Sequence, residues 1–528
     1  MPQINGGQAL IESLYREGVR LVMGLPGAGQ YEAIDALYER PDIRYISLRH
    51  EQAASYMADG YARVSGKVGV GLVVEGPGFF NTLAGLSTAA AVSSPVLMVT
   101  GDDHTAPDPS RTNFDGLASH LAYAKWAGRA QNPARVPGLV REAFRQLHTG
   151  RPAPVVVEVG PAVMGMREEV TFFEPETQPS RAAEGDDEAM ELAAQLLTQA
   201  ERPLIWAGSG AVYSDAAPIV RALAEFLKAP VVTSRTGKGI LSDRHPLSLG
   251  MANMGFKPLK EWTDRRDVIL AVGVRGGFGT PGAHQKVIRI DIEPQTATSG
   301  APECAITGDA KICLEGLYRR VAALRTPRPN LPEELAGINA KRFGPEEQLQ
   351  PQADLIRAIR NALPDEGIVV PGMNQMGYYS RNYYPAYAPK TYLTTSSMGT
   401  LGSAYPIALG AKLGRPDQPV VSISGDGGFL YNAQEMATAV QYGINAIAVV
   451  FNDNAYGNVL RNQIENQGGH VLGTRLYNPD FVRLGESFGM LSLRANNAEQ
   501  LEAALRRAIQ ADKPALIEVP VPMMRRRY

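Results

Sequence analysis

Only two cysteines occur in the 528 residues, Cys304 and Cys313, and their spacing matches no metal-ligand pattern. So few thiols rule out a disulfide framework and point to a reducing compartment. No window is long and apolar enough to span a bilayer. No basic-then-apolar leader precedes the helix-patterned stretch from Gly7 to Glu17, so a cytoplasmic location is expected. Charge is scarce in net terms as well. A formal charge of −2 gives no drive toward nucleic acid or a membrane surface, and the three arginines at 525–527 read as a solvated tail. What is present is an apolar content of 44%, enough for full cores, on a length that suggests about three domains.

Two polar stretches rich in Pro, Glu and Gly divide the chain, about 167–187 and about 325–352, and read as surface linkers. They bound three segments, 1–166, 188–324 and 353–528. Each alternates short β-branched runs with helical patterns, the signature of parallel α/β layers. The first has VGVGLVVEGPG, SPVLMVTGDD and APVVVEVG. The second has RPLIWAGSG, APVVTS, DVILAVGV and VIRIDIEP.

The most informative stretch is 425–457, GDGGFLYNAQEMATAVQYGINAIAVVFNDNAYG. An apolar strand (Val420, Val421, Ile423) ends in Gly425-Asp426-Gly427, with Gly428 following. A helical pattern from about Asn432 to Tyr442 leads to a second strand (Ile447, Val449, Val450), which ends in Asn452-Asp453-Asn454. Both strand ends fall on the carboxyl edge of a parallel sheet, where open α/β folds bind ligands. Asp426 and Asp453 are 27 positions apart, about one strand–helix–strand unit. Two carboxylates beside glycines that admit a phosphate suit Mg²⁺, which takes one or two carboxylates plus phosphate oxygens.

This segment resembles the diphosphate-binding motif of the thiamine-diphosphate enzymes, and its wording is similar to the acetolactate synthase, benzoylformate decarboxylase and pyruvate oxidase superfamily. The resemblance implies that Asp426, Asp453 and the Ala455 carbonyl hold Mg²⁺, with Tyr456 and Gly457 beside the cofactor. Asp453 is a departure, since the family usually has Asn there. Two other stretches fit the same resemblance. RHEQAASYMADGYAR (49–63) places Glu51 on the carboxylate that activates the cofactor's aminopyrimidine, a role favoured by apolar surroundings in which a carboxyl shares a proton readily. In SSMGTLGSAYPIALG (396–410) the Gly399 carbonyl is expected to accept from the cofactor's amine and Leu401 to prop it into a bent shape. In PGMNQMG (371–377), Gly372, Met373 and Asn374 are the expected diphosphate contacts.

The resemblance covers nearly the whole chain. It implies three parallel-sheet α/β domains (pyrimidine-binding, central and diphosphate-binding) and a homodimer or homotetramer in which the cofactor bridges two subunits. The central domain is expected to be structural, without FAD. GVRGGFG (273–279) is not a dinucleotide fingerprint, too few residues separate it from Asp291 for a crossover helix, and Gly276-Gly277-Phe278-Gly279 replaces the acidic-basic cluster of acetolactate synthases. GSG (208–210) reads as a strand-end turn.

On the substrate side, Ala28 in LPGAG, Val74 and Val459 stand where simple decarboxylases place proton-delivering or carboxylate-holding groups. These losses favour 2-oxoacid decarboxylation followed by carboligation, with a 2-oxoacid or aldehyde as the small-molecule partner. An acyloin or 2-hydroxyketone lyase, a simple 2-oxoacid decarboxylase and a degenerate non-catalytic binding protein are the alternatives. Glu75, in VVEGPGFFN, replaces a small residue beside the substrate and is open to three readings: an acid-base group, a repeller of anionic acceptors, or a salt-bridged wall. Phe79 and Phe80 either narrow the pocket or pack.

Overall fold

A computed structural model describes residues 3–101, 120–174, 185–276, 282–330, 333–345, 347–395 and 398–525. Its backbone builds three fully parallel sheets, one per segment, because β-branched runs buried on both faces favour parallel pairing under covering helices. The first sheet has six strands in the order Arg44–Ser47, Leu21–Gly24, Gly69–Leu72, Val96–Thr100, Val155–Val159 and Trp126–Ala130. The central sheet runs Ser248–Met251, Val231–Thr233, Leu204–Ala207, Val268–Val272, Lys286–Asp291 and Cys304–Thr307. The third has five strands, Ile368–Pro371, Val420–Gly425, Ile447–Asn452, Ala515–Pro520 and Leu491–Arg494.

The two polar stretches are more structured than their composition suggests. Arg167–Glu169 pairs antiparallel with Gln3–Asn5, so the first stretch begins as a strand fastened to the start of the chain. Glu334–Arg342 in the second is a helix whose buried Leu335 and Ile338 join the central core, while Arg342 donates to the carbonyls of Leu249 and Asn382. Two apolar residues three apart suffice to dock one turn, a signal that the surrounding Pro, Glu and Gly conceal.

Cores are not distributed evenly. The central sheet has a core of its own. The first and third sheets each have one as well and share a further one, in which helix Glu51–Ser65 lies against helix Ala404–Gly414. Their backbones approach so closely that a Cβ on Gly60 would lie 2.1 Å from the Ile407 carbonyl oxygen, and one on Gly410 1.9 Å from that of Met57. Glycine at both positions is what permits this approach. Among the described residues no helix is long and apolar enough to cross a membrane.

Candidate active site

Helix Glu51–Ser65 starts where His50 adopts an extended conformation and its Nδ1 accepts from the Gln52 N–H at 3.1 Å, satisfying one of the helix's unpaired donors. Glu51 thus sits in the first turn, 9% exposed. Its Oε2 accepts from Asn81 Nδ2 at 3.0 Å, and its Oε1 is near Gly78, where a Cβ would lie 3.4 Å away and against Val74. Asn81 belongs to helix Pro77–Val92, which follows the strand end carrying Val74 and Glu75. The Glu75 carboxylate is directed toward Gly29 and Gly101, where added Cβ atoms would come within 3.1 and 2.3 Å of its Oε2. Ala28 is in the loop before Gly29. Phe79 is buried at 2% exposure with its ring centroid 4.0 Å from that of His120, whereas Phe80 is exposed.

In the third domain, strand Val420–Gly425 passes directly into the short helix Asp426–Phe429, and the expected helix follows over Glu435–Tyr442. Asp426 accepts from the backbone N–H groups of Gly427 and Ala455 and from Asn478 Nδ2 at 2.6 Å. Strand Ile447–Asn452 ends in a sharp bend at Asn454, whose φ of +51° is left-handed, a conformation Asn adopts more easily than most residues. The bend turns Asp453 back toward Asp426. Helix Gly457–Asn466 begins against it, and a Cβ on Gly457 would lie 2.0 Å from Asp453 Oδ2, so only glycine leaves room for this carboxylate.

The two carboxylates lie within hydrogen-bonding reach of each other, and their electrostatics reflect it. Burial and then the neighbouring Asp426 charge push Asp453 up to about 7. Burial also raises Asp426, opposed by its hydrogen bonds from Asn478 and the backbone. Like charges held this close are stable only with a shared proton or an intervening cation.

A cavity of about 410 Å³ opens beside this pair. It is lined by Met373, Asn374, Gly399, Leu401, Gly425, Asp426, Gly427, Gly428, Asp453, Ala455, Tyr456, Gly457 and Val459. Gly399 has a φ of +70°, and Asn374 is tied to the Val420–Gly425 strand by donating from Nδ2 to the Ile423 carbonyl at 2.9 Å. Gly372 is buried behind this wall, its N–H donating to the same carbonyl at 2.8 Å. Glu51, Glu75, Ala28, Val74 and Phe79 do not line the cavity. Within one chain the surroundings of Glu51 and this cavity are therefore separate.

Sequence reasoning missed Asn478, which touches Asp426, Asn452 (3.0 Å) and Asn454 (3.3 Å) at once, and the lining residues Tyr378, Tyr431, Asn458 and Met524. A lone Asn in a loop carries no pattern that would mark it. In the central domain, Gly208 N–H donates to the Val272 carbonyl and Gly210 N–H to that of Gly273, as a strand-end turn does. Asp291 is ion-paired with Arg151 of the first domain at 3.0 Å. Of the GVRGGFG loop, Gly277, Phe278 and Gly279 lie outside the described residues.

Comparison with known proteins finds a match for each of the three domains. The model for the N-terminal TPP binding domain of thiamine pyrophosphate enzymes matches residues 4–118, that for their central domain 190–317, and that for their C-terminal TPP binding domain 372–519. The chain is 32% identical to a probable acetolactate synthase large subunit of Methanocaldococcus jannaschii, over 98% of this chain and 92% of the relative. It is 30% identical to the acetolactate synthase isozyme 3 large subunit of Escherichia coli, over 97% and 93%. It is also 32% identical to the probable 2-ketoarginine decarboxylase AruI of Pseudomonas aeruginosa, over 98% and 94%. With all three domain models in consecutive order and relatives matched along nearly their whole length, the chain belongs to the thiamine pyrophosphate enzyme family.

Proposed function

We propose that this protein decarboxylates a 2-oxoacid and joins the remaining carbon unit to a second carbonyl compound, in the manner of acetolactate synthase. The observation that carries the reading is where ionisable groups stand around the cavity. Asp426 and Asp453 are the carboxylates among its lining residues, and the others, Met373, Leu401, Tyr456 and Val459 among them, include no further carboxylate, histidine or lysine.

The residues present fit the cofactor and its metal. Two carboxylates whose protons burial holds, Asp453 raised further by the charge of Asp426, are relieved by a divalent cation, and the chemistry of the donors (oxygen only) suits Mg²⁺. Asp426, Asp453 and the Ala455 carbonyl would hold that ion, Gly427, Gly428 and Asn374 would approach the diphosphate, and Gly399 and Leu401 would flank the rings. Thiamine diphosphate, when bound, supplies the carbon nucleophile and takes up the electrons released on decarboxylation. Glu51 holds a proton at the aminopyrimidine, steadied by Asn81. Because Glu51 is outside the cavity of its own chain, it serves the cavity of a second chain, which makes a homodimer the smallest active unit. Ala28, Val74 and Val459 offer no proton, which favours meeting an acceptor over release of an aldehyde.

A second reading, a simple decarboxylase, is favoured by the resemblance to AruI and by Glu75, an acid suited to a substrate with a cationic end. One experiment separates them: carbon dioxide, free aldehyde and acyloin are measured side by side with and without an acceptor. Acceptor-accelerated turnover with acyloin as product is expected. Fast stoichiometric aldehyde release indifferent to acceptor would overturn the carboligase reading.

A further inference from the structure

The segment that carries Glu51 is held by the third domain of its own chain. Strand Arg44–Ser47 leads through Leu48, Arg49 and His50 into helix Glu51–Ser65. Between Arg44 and Gln52 it is gripped repeatedly by residues from 432 to 442. The Arg44 guanidinium donates to the Tyr442 carbonyl at 2.8 Å, and the Ser47 N–H to the Tyr442 hydroxyl at 3.0 Å. Arg49 Nη2 donates to Gln441 Oε1 at 2.9 Å. Asn432 Nδ2 donates to Gln52 Oε1 at 3.1 Å and to the Gly402 carbonyl at 2.9 Å. Glu435 stands at the centre of this grip. Its side chain is fully buried, and its two oxygens lie 3.2 and 3.4 Å from the Arg49 nitrogen, with the His50 N–H alongside. Thr438 Oγ1 donates to it at 2.6 Å.

A carboxyl group withdrawn from water is costly unless its oxygens are hydrogen-bonded. Here the backbone donors are those of the two residues that precede Glu51. An acid-base group works only where its support holds it to a fraction of an ångström, and a shift of about 1 Å can cost roughly 10²-fold in rate. We infer that Glu435 is a positioning residue for Glu51, fixing the backbone at Arg49 and His50 and with it the stance of Glu51 toward the aminopyrimidine. Glu435 lies in sequence between Asp426 and Asp453, yet it does not line the cavity those carboxylates build. Acting through Glu51, it serves whichever cavity Glu51 serves, which in the proposed function is the partner's.

The inference rests on the roles proposed for Glu51 and for a site shared by two chains, and its tests keep the three apart. In cofactor-free protein, amide exchange read by mass spectrometry should quicken roughly tenfold or more at residues 47–52 in Glu435→Ala. Strand Val420–Gly425 should be unaffected. Glu435→Gln still accepts from the same N–H groups and should keep the protection. With cofactor bound, hydrogen–deuterium exchange at its reactive carbon should slow roughly tenfold or more in Glu435→Ala and recover in Glu435→Gln, at unchanged cofactor affinity. Unchanged exchange at either place would overturn the inference. Should Glu435→Ala not fold, Tyr442→Phe carries both exchange measurements with the same sign and a smaller size, roughly threefold, and no change in either overturns it. Subunit mixing then assigns the cavity served. Glu435→Ala should regain about a quarter of wild-type activity with Asp426→Ala and none with Glu51→Gln. The reverse pattern would tie Glu435 to its own chain's cavity and overturn the inference. If Glu51→Gln and Asp426→Ala fail to complement each other, the two-chain reading fails, and the exchange measurements alone decide the role of Glu435.

Discussion

The third and central domains present the same kind of edge to opposite chemistry. In both, parallel strands end in tight turns that depend on glycine: Gly425 and Gly457 leave room for the side chains of Asn374 and Asp453 in one, and Gly208, Gly210 and Gly273 let backbones meet in the other. After the strands of the third domain come Asp426 and Asp453. After those of the central domain come Arg235 and Arg275. The architecture makes a ligand site available, and the one to three residues beyond each strand decide its charge. Fold similarity between the two domains therefore says nothing about a common ligand.

Removing the acidic edge should have the largest effect. Asp426→Ala is expected to abolish retention of thiamine diphosphate and divalent cation, with activity lost by roughly 10²-fold or more, and equilibrium dialysis with and without chelator measures it. Full cofactor binding after exhaustive chelation would sink the metal assignment.

Next in size is Glu51→Gln, which should keep cofactor and fold yet lose roughly 10²-fold in turnover, the scale of a positioned acid-base group. Hydrogen–deuterium exchange at the cofactor's reactive carbon reads this directly. Mixing the Glu51→Gln and Asp426→Ala proteins adds a sharper readout. If each site draws one half from each subunit, randomly reassembled dimers regain about a quarter of wild-type activity, because half are mixed and each mixed dimer has one intact site. No recovery after verified subunit exchange would place both halves in one chain.

A smaller effect concerns the seam between the first and third domains. Glu435 is fully buried, accepts from the Arg49 N–H at 3.2 Å and from Thr438 Oγ1 at 2.6 Å, and is pushed up to about 7 by burial. A carboxyl that holds its proton more tightly when folded favours the folded state at low pH. Its contribution is fully present below about pH 4.5 and is lost as pH rises through about 7, on the order of 3 kcal/mol at most. Glu435→Gln should flatten that part of the stability–pH profile in denaturant titrations. An unchanged slope would assign the pH dependence elsewhere.

The least perturbing measurement is of the purified protein's absorption. No flavin band is expected, because the central edge lacks the acidic-basic cluster of flavin-using relatives. A band at about one flavin per subunit would overturn the contrast between the two edges.

How much of this was legible follows from how local each signal is. The strand ends at Asp426 and Asp453 were readable because a parallel strand–helix–strand unit has a nearly fixed length, so spacing alone brings them together. Glu51 was readable only by resemblance, as a single acid at a helix start has no pattern. Asn478 and the hold of Glu435 on the Arg49 N–H depend on distant segments meeting in three dimensions. Helix Glu334–Arg342 was hidden because its two docking residues are too few to dominate the polar composition around them. The packing of Phe79 on His120 needed the ring geometry.

The glycine contact between helices Glu51–Ser65 and Ala404–Gly414 bears on how this protein could be taken apart. The central domain keeps its core to itself and is exchangeable as a module, whereas the first and third, each with a core of its own, also share a third core between them. Either half expressed alone would bare an apolar face complementary to its missing mate, including the surfaces of Met57, Ile407 and Ala411, a patch that favours self-association. A side chain at Gly60 or Gly410 would wedge the same seam open. Chimeras between relatives must therefore inherit these two helices as a pair, and recombination points belong beside the central domain.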